Sequence, residues 1–123
     1  MSKKILVADD EPNIVTALEF LLQRNGYEVR VARNGEEALQ RWRERSGVDL
    51  VVSDLVMPEM GGRELATRLR AEAPRLKVLF TSGYTDDAGI RQGALENGMG
   101  FLGKPFTPEE LLRKAREMLD QPS

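Results

Sequence analysis

Three acids, Asp9, Asp10 and Glu11, follow directly on the apolar run Ile5–Ala8. A fourth, Asp54, closes the run Leu50–Val52 after one serine. Thr81 and Ser82 close the run Val78–Phe80, and Lys104 stands just past Gly100–Leu102. Polar groups at the ends of apolar runs converge when those runs are neighbouring parallel strands. Carboxylates gathered within a few ångströms destabilise one another unless a cation sits among them or one takes up a proton. The chain has no histidine and no cysteine, so every donor is oxygen. That set selects Mg²⁺, Mn²⁺ or Ca²⁺ over zinc or copper. A few carboxylates with room left for water suit Mg²⁺, which binds phosphate oxygens in such sites. An ammonium and a hydroxyl complete a phosphoryl cradle. A carboxylate can itself be the nucleophile, giving an aspartyl phosphate.

The elements that must position these groups alternate strand and helix five times. After the first acids, Pro12 suits the first turn of a helix carrying Ile14, Val15, Leu18, Leu21 and Leu22 at helical spacing, and Asn25-Gly26 stops it. Tyr27–Ala32 alternates Val29 and Val31 with charge, and a second helix carries Ala38, Leu39 and Trp42 and ends near Gly47. The Asp54 strand leads through the loop Met57–Gly62 to a third helix with Leu65, Ala66, Leu69 and Ala73, ended by Pro74. A fourth helix is expected at about Asp86 to Asn97, weakened by Gly89 and Gly93. Gly100–Leu102 is a short last strand, and Thr107-Pro108-Glu109-Glu110 is a capping box opening a fifth helix along Leu111, Leu112, Ala115, Met118 and Leu119. Five βα units with short connections make a parallel sheet with helices on both faces. Strands 1, 3 and 4 are solid apolar runs, as strands covered on both sides should be. Strand 2 alternates and strand 5 is short, which suits edges. The result is a flavodoxin-like (βα)5 doubly wound α/β fold of order 2-1-3-4-5, whose ligands lie beyond the carboxyl ends of strands 1 and 3.

The 123 residues read as one domain, 1–123, and 41% of them are hydrophobic, so a core is affordable and disorder is excluded. The net charge of −2 comes from mixed charges with no basic block, which argues against direct nucleic-acid binding. No apolar run approaches the roughly 18 residues of a membrane span, and acids arrive too early for a signal peptide. A cytoplasmic location with no membrane contact is therefore the expectation.

Taken singly, each signal has a plain explanation. Asp9 and Asp10 suit a helix N-terminus, Ser82 a turn, Lys104 the surface, and Phe101 and Trp42 the core. Their joint order, each after a strand, carries the weight. The chain resembles, over almost its whole length, the receiver domain of two-component response regulators, the CheY-like superfamily. The residues behind the resemblance are Asp9-Asp10, Asp54 with Met57-Pro58 and Gly62, Ser82, and Lys104-Pro105-Phe106. VLFTSGYTDD (78–87) and the ending GFLGKPFTPEEL look most like receivers attached to hybrid sensor histidine kinases.

The resemblance implies roles. Asp54 is the phosphoacceptor. Asp9 and Asp10 hold Mg²⁺, with Mn²⁺ as a substitute, and Asp54 and the backbone carbonyl of Val56 complete the protein ligands. Lys104 pairs with the incoming phosphoryl group, and Ser82, not Thr81, is the switch hydroxyl. Phe101 is the aromatic that changes rotamer, and the Lys104–Pro105 bond is cis. The donor is a histidine kinase or a histidine phosphotransfer domain. The output is a shift of the surface formed by the fourth helix, fifth strand and fifth helix, through which a homodimer can form. The domain is not an enzyme on external substrates; it assists its own Asp phosphorylation and dephosphorylation. Gly61, Gly83 and Gly103 depart from common family choices, and Phe101 lacks a phenol hydroxyl. Two rivals stand beside this reading. One is a receiver-like interaction module that is never phosphorylated. The other is a Mg²⁺-dependent phosphatase with an aspartyl nucleophile, disfavoured because its second acid should lie two residues on. No Gly-rich phosphate loop follows strand 1, which disfavours a nucleotide-binding protein.

Overall fold

Residues 2–44, 47–83 and 98–121 are described by the computed structural model. Along the chain run β1 (Lys4–Ala8), α1 (Pro12–Arg24), β2 (Glu28–Ala32), α2 (Gly35–Glu44), β3 (Leu50–Asp54), α3 (Gly62–Glu72), β4 (Lys77–Ser82), β5 (Gly100–Gly103) and a C-terminal helix (Pro108–Asp120). The five strands form one parallel sheet of order β2-β1-β3-β4-β5, the order expected from strand character. The expected helix at about Asp86 to Asn97 lies outside the described residues.

Alternation along the central strands divides the core in two. Leu6, Ala8, Val51, Val78 and Phe80 face one side, where they pack with Ala38 and Leu39 of α2 and Leu65, Ala66 and Leu69 of α3. Ile5, Val7, Leu50, Val52 and Leu79 face the other, against Leu18 and Leu22 of α1 and Leu111, Leu112, Ala115 and Met118 of the C-terminal helix. Both faces being covered explains why these strands are apolar without interruption. Each fully buried Leu or Val contributes about 1.5–3 kcal/mol relative to exposure. Trp42 is half-buried at the margin of the first core; its indole N–H donates to Glu72 at 3.3 Å and ties α2 to α3.

Local chemistry fixes the helix ends. Pro12 opens α1 and Pro108 opens the C-terminal helix. At the latter, the Thr107 hydroxyl accepts from the Glu110 N–H at 3.1 Å while the Glu110 carboxylate accepts from the Thr107 N–H at 3.2 Å. Two donors that a helix N-terminus leaves over are thereby satisfied.

Candidate functional site

β1 delivers Asp9, whose N–H still bonds to the Ala32 carbonyl at 3.1 Å, so the strand's alignment carries one residue past its end. Its side chain is buried, and its Oδ1 accepts the Glu11 N–H at 2.9 Å. β3 delivers Asp54, also buried, with Oδ1 3.3 Å from the Val56 N–H. β5 delivers Lys104, whose N–H donates to the Ser82 carbonyl at 2.7 Å, while the Leu55 N–H donates to the Thr81 carbonyl at 2.9 Å. Every contributing loop is thus tied by backbone bonds to a neighbouring strand end. The Lys104–Pro105 peptide is cis, as the resemblance implied.

The ammonium of Lys104 sits 3.1 Å from each of three carboxylates, Asp9, Glu11 and Asp54. Ligand oxygens of the same three acids lie within 4.8 Å of one another. The side chains of Lys104, Asp9 and Asp54 are 12%, 4% and 8% exposed, and that of Glu11 is 58% exposed. Two of the three acids at the end of β1, Asp9 and Glu11, therefore face a positive side chain of the chain itself. Burial alone would lower the Lys104 pKa, but hydrogen bonds to Asp54, Glu11 and Asp9 outweigh it and hold the ammonium well above the usual lysine range. Burial pushes Asp9 up from the usual carboxylate range; the Glu11 N–H and Lys104 oppose this, and the nearby Asp54 charge adds to it.

Among the expected residues, Asp9, Asp54 and Lys104 come together. Asp10 is exposed and outside the trio of close carboxylates, although it lines the same open cleft of about 430 Å³ with Glu11, Asp54, Val56, Gly83 and Lys104. Ser82 is buried at the end of β4, opposite Gly103, and Thr81 is buried beside it as the register partner of Asp54. Phe101, opposite Phe80, is half-buried against the α2/α3 core. Glu11 carries no role in the sequence reading, though it ends the acidic block; the spacing gives no sign of which acid reaches Lys104. Gly62 is the second omission of detail. A Cβ there would collide with the Asp54 carbonyl oxygen and stand 2.9 Å from Ser53 Oγ, so α3 starts against the backbone of the candidate acceptor.

The donor set fits a hard divalent cation, because all its ligating atoms are oxygen and two of the three close carboxylates are buried. Chemically, the arrangement offers a carboxylate next to a fixed ammonium at the mouth of an open cleft, which suits an incoming anion.

The family signature described as "Response regulator receiver domain" matches residues 5–116. The sensor kinase CckA of Brucella abortus (strain 2308) is 41% identical over 121 residues, which is 98% of this chain and 13% of that protein. The alkaline phosphatase synthesis transcriptional regulatory protein PhoP of Bacillus subtilis (strain 168) is 35% identical over 119 residues, 97% of this chain and 49% of that protein. The chain thus spans half or less of these curated relatives. Among solved structures, the non-phosphorylated HemR receiver domain from Leptospira biflexa superposes with a TM-score of 0.90 at 28% identity, covering 99% of this chain and 98% of that one. The chemotaxis protein CheY4 of Vibrio cholerae gives 0.87 at 31% identity, covering 96% and 99%.

Proposed function

This chain belongs to the response regulator receiver domain family of two-component signalling systems, and from that premise we propose that it accepts a phosphoryl group from a phosphohistidine onto Asp54. The observation that carries the proposal is the contact between Lys104 Nζ and Asp54 Oδ2 at 3.1 Å, at the carboxyl edge of the sheet and open to a cleft.

In the transfer, an Asp54 carboxylate oxygen attacks phosphorus. The P–N bond to the donor imidazole breaks, and the imidazole keeps the electron pair. Phosphoryl transfer demands mainly positioning and charge neutralisation. β3 and the Val56 N–H orient Asp54, and Lys104 turns from the carboxylates to the arriving phosphoryl oxygens. Asp9, Asp54 and the Val56 carbonyl, with Asp10 at the rim and Glu11 within reach, would hold Mg²⁺ or Mn²⁺. Such an ion, when bound, supplies the further positive charge that a phosphoryl group among carboxylates needs. The product adds about −1.5 to −2 charge. Ser82 donates to it, and Phe101 repacks in response. The surface that includes β5 and the C-terminal helix is the output, offered to a partner or to a second copy. The donor is a histidine kinase or a histidine phosphotransfer domain.

The test is chemical labelling. Purified chain with Mg²⁺ and a small phosphodonor is expected to gain acid-stable, base-labile phosphate, and Asp54→Asn is expected to abolish it. Undiminished labelling of Asp54→Asn would refute the assignment.

A further inference from the structure

We propose that Glu11 is a specificity-determining residue at the mouth of the cleft, whose carboxylate sets how much negative charge a phosphoryl donor can carry to Asp54. This rests on Asp54 being the phosphoacceptor. Of the three carboxylates on Lys104, Asp9 and Asp54 are buried, and Glu11 alone meets solvent over most of its side chain. Glu11, Lys104 and Gly83 also line two clefts at once. One is the 430 Å³ space over Asp54; the other, of about 520 Å³, runs along Asn13, Ile14 and Ala17 of α1 to Pro105 and Phe106. Glu11 and Lys104 are therefore a wall common to both, and a donor seated in either cleft lies beside Glu11.

The Glu11 side chain holds neither reacting partner in place. Asp54 is oriented by β3 and the Val56 N–H, and Asp9 is fixed by the Glu11 backbone rather than its carboxylate. What the side chain contributes is charge. With a divalent ion bound, its charge and that of Lys104 balance the three carboxylates; Glu11 still sets a negative charge at the exposed rim, and it occupies part of the only ammonium within reach of Asp54 among the described residues. Both effects penalise a donor in proportion to its negative charge.

Two small donors separate charge from chemistry. Acetyl phosphate is a dianion at neutral pH; its P–O bond breaks and acetate leaves with the electron pair. Phosphoramidate carries a proton on nitrogen and is a monoanion; its P–N bond breaks and ammonia leaves. Both give the same aspartyl phosphate. The experiment measures initial rates of phosphate incorporation at Asp54 from each donor, at a Mg²⁺ concentration shown by titration to saturate every variant. Glu11→Gln is expected to raise the acetyl phosphate to phosphoramidate rate ratio about two- to fivefold, the range of one exposed charge interaction. Glu11→Lys is expected to raise it further, Glu11→Asp to keep the wild-type ratio, and added salt to compress the series.

A residue that only tethered Lys104 would change both rates alike, and a constant ratio overturns the proposal. A ratio that moves as much in Glu11→Asp as in Glu11→Gln overturns it too, because shape and not charge would then govern. Labelling of wild type with a flat ratio removes only this inference; no labelling of wild type from either donor removes the phosphoacceptor reading and this one with it.

Discussion

Lys104 and Asp54, fifty positions apart in sequence, meet with 3.1 Å between Nζ and Oδ2. The same ammonium is equally close to Asp9. Two nearly buried carboxylates thus depend on one side chain brought to them by β5, the last and shortest strand.

Replacing that side chain should expose the dependence. In chelator, Lys104→Met is expected to lower the unfolding free energy by about 1–3 kcal/mol, since it leaves buried acids without their counter-charge. Mg²⁺ should return more stability to the variant than to wild type. Urea unfolding with and without the metal measures both; an unchanged midpoint in chelator would show that the ammonium does not offset the cluster.

The pH dependence follows from Asp9. Burial raises its pKa in the fold above the ordinary value of 3.8. A carboxyl that holds its proton more tightly when folded contributes stability that is complete below its unfolded pKa and is lost as pH rises through the folded one. At neutral pH the ionised group therefore costs stability. Metal-free Asp9→Asn is expected to be more stable than wild type at pH 7, with the difference closing as pH falls toward 3.8. Denaturant midpoints across that window test it, and a difference that widens on acidification contradicts the sign.

Metal binding should appear in the melting curve. A ligand at a hundredfold excess over its Kd stabilises by about 2.7 kcal/mol. Wild type is expected to melt higher in Mg²⁺ than in chelator, and both Asp9→Asn and Asp54→Asn should lose most of that rise. Equal rises in all three would place the ion elsewhere.

Gly62 tests the link between α3 and the acceptor. Any Cβ there forces the Asp54 carbonyl or the helix to move. Gly62→Ala is expected to cost about 1–3 kcal/mol and to slow Asp54 labelling, whereas wild-type stability and rate would mean that the helix start shifts freely.

Thr107→Ala supplies the contrast. Loss of the cap should cost about 1 kcal/mol while labelling of Asp54 stays at the wild-type rate, because the capping box holds the C-terminal helix and touches none of the acidic cluster. Thermal unfolding and donor labelling of the same preparation separate the two effects.

Much of this was readable from residue order. Strand 2 alternates and strand 5 is short, so both belong at edges, and the uninterrupted runs at Ile5, Leu50 and Val78 needed cover on two faces; the sheet order follows from those facts. The capping box at Thr107 was legible because it is a purely local pattern. Asp54 and Lys104 were legible because each ends a strand, where topology alone brings groups together. Glu11 was not, because past the end of β1 the alternation rule lapses, and which further acid joins Asp9 is decided by contact with Lys104, ninety-three positions away. The part of Gly62 in backing Asp54 was hidden for a similar reason: close approach of two backbones leaves no periodic trace. The expected fourth helix, about Asp86 to Asn97, belongs to neither group, since it falls outside the described residues.

The sequence holds a single tryptophan, and its indole is bonded between α2 and α3 at the edge of the core that also contains Phe101. Intrinsic emission excited at the indole band therefore samples that one side of the sheet. Quenching or a colour shift on phosphodonor addition would register repacking under Phe101, and events confined to α1 would pass in the dark.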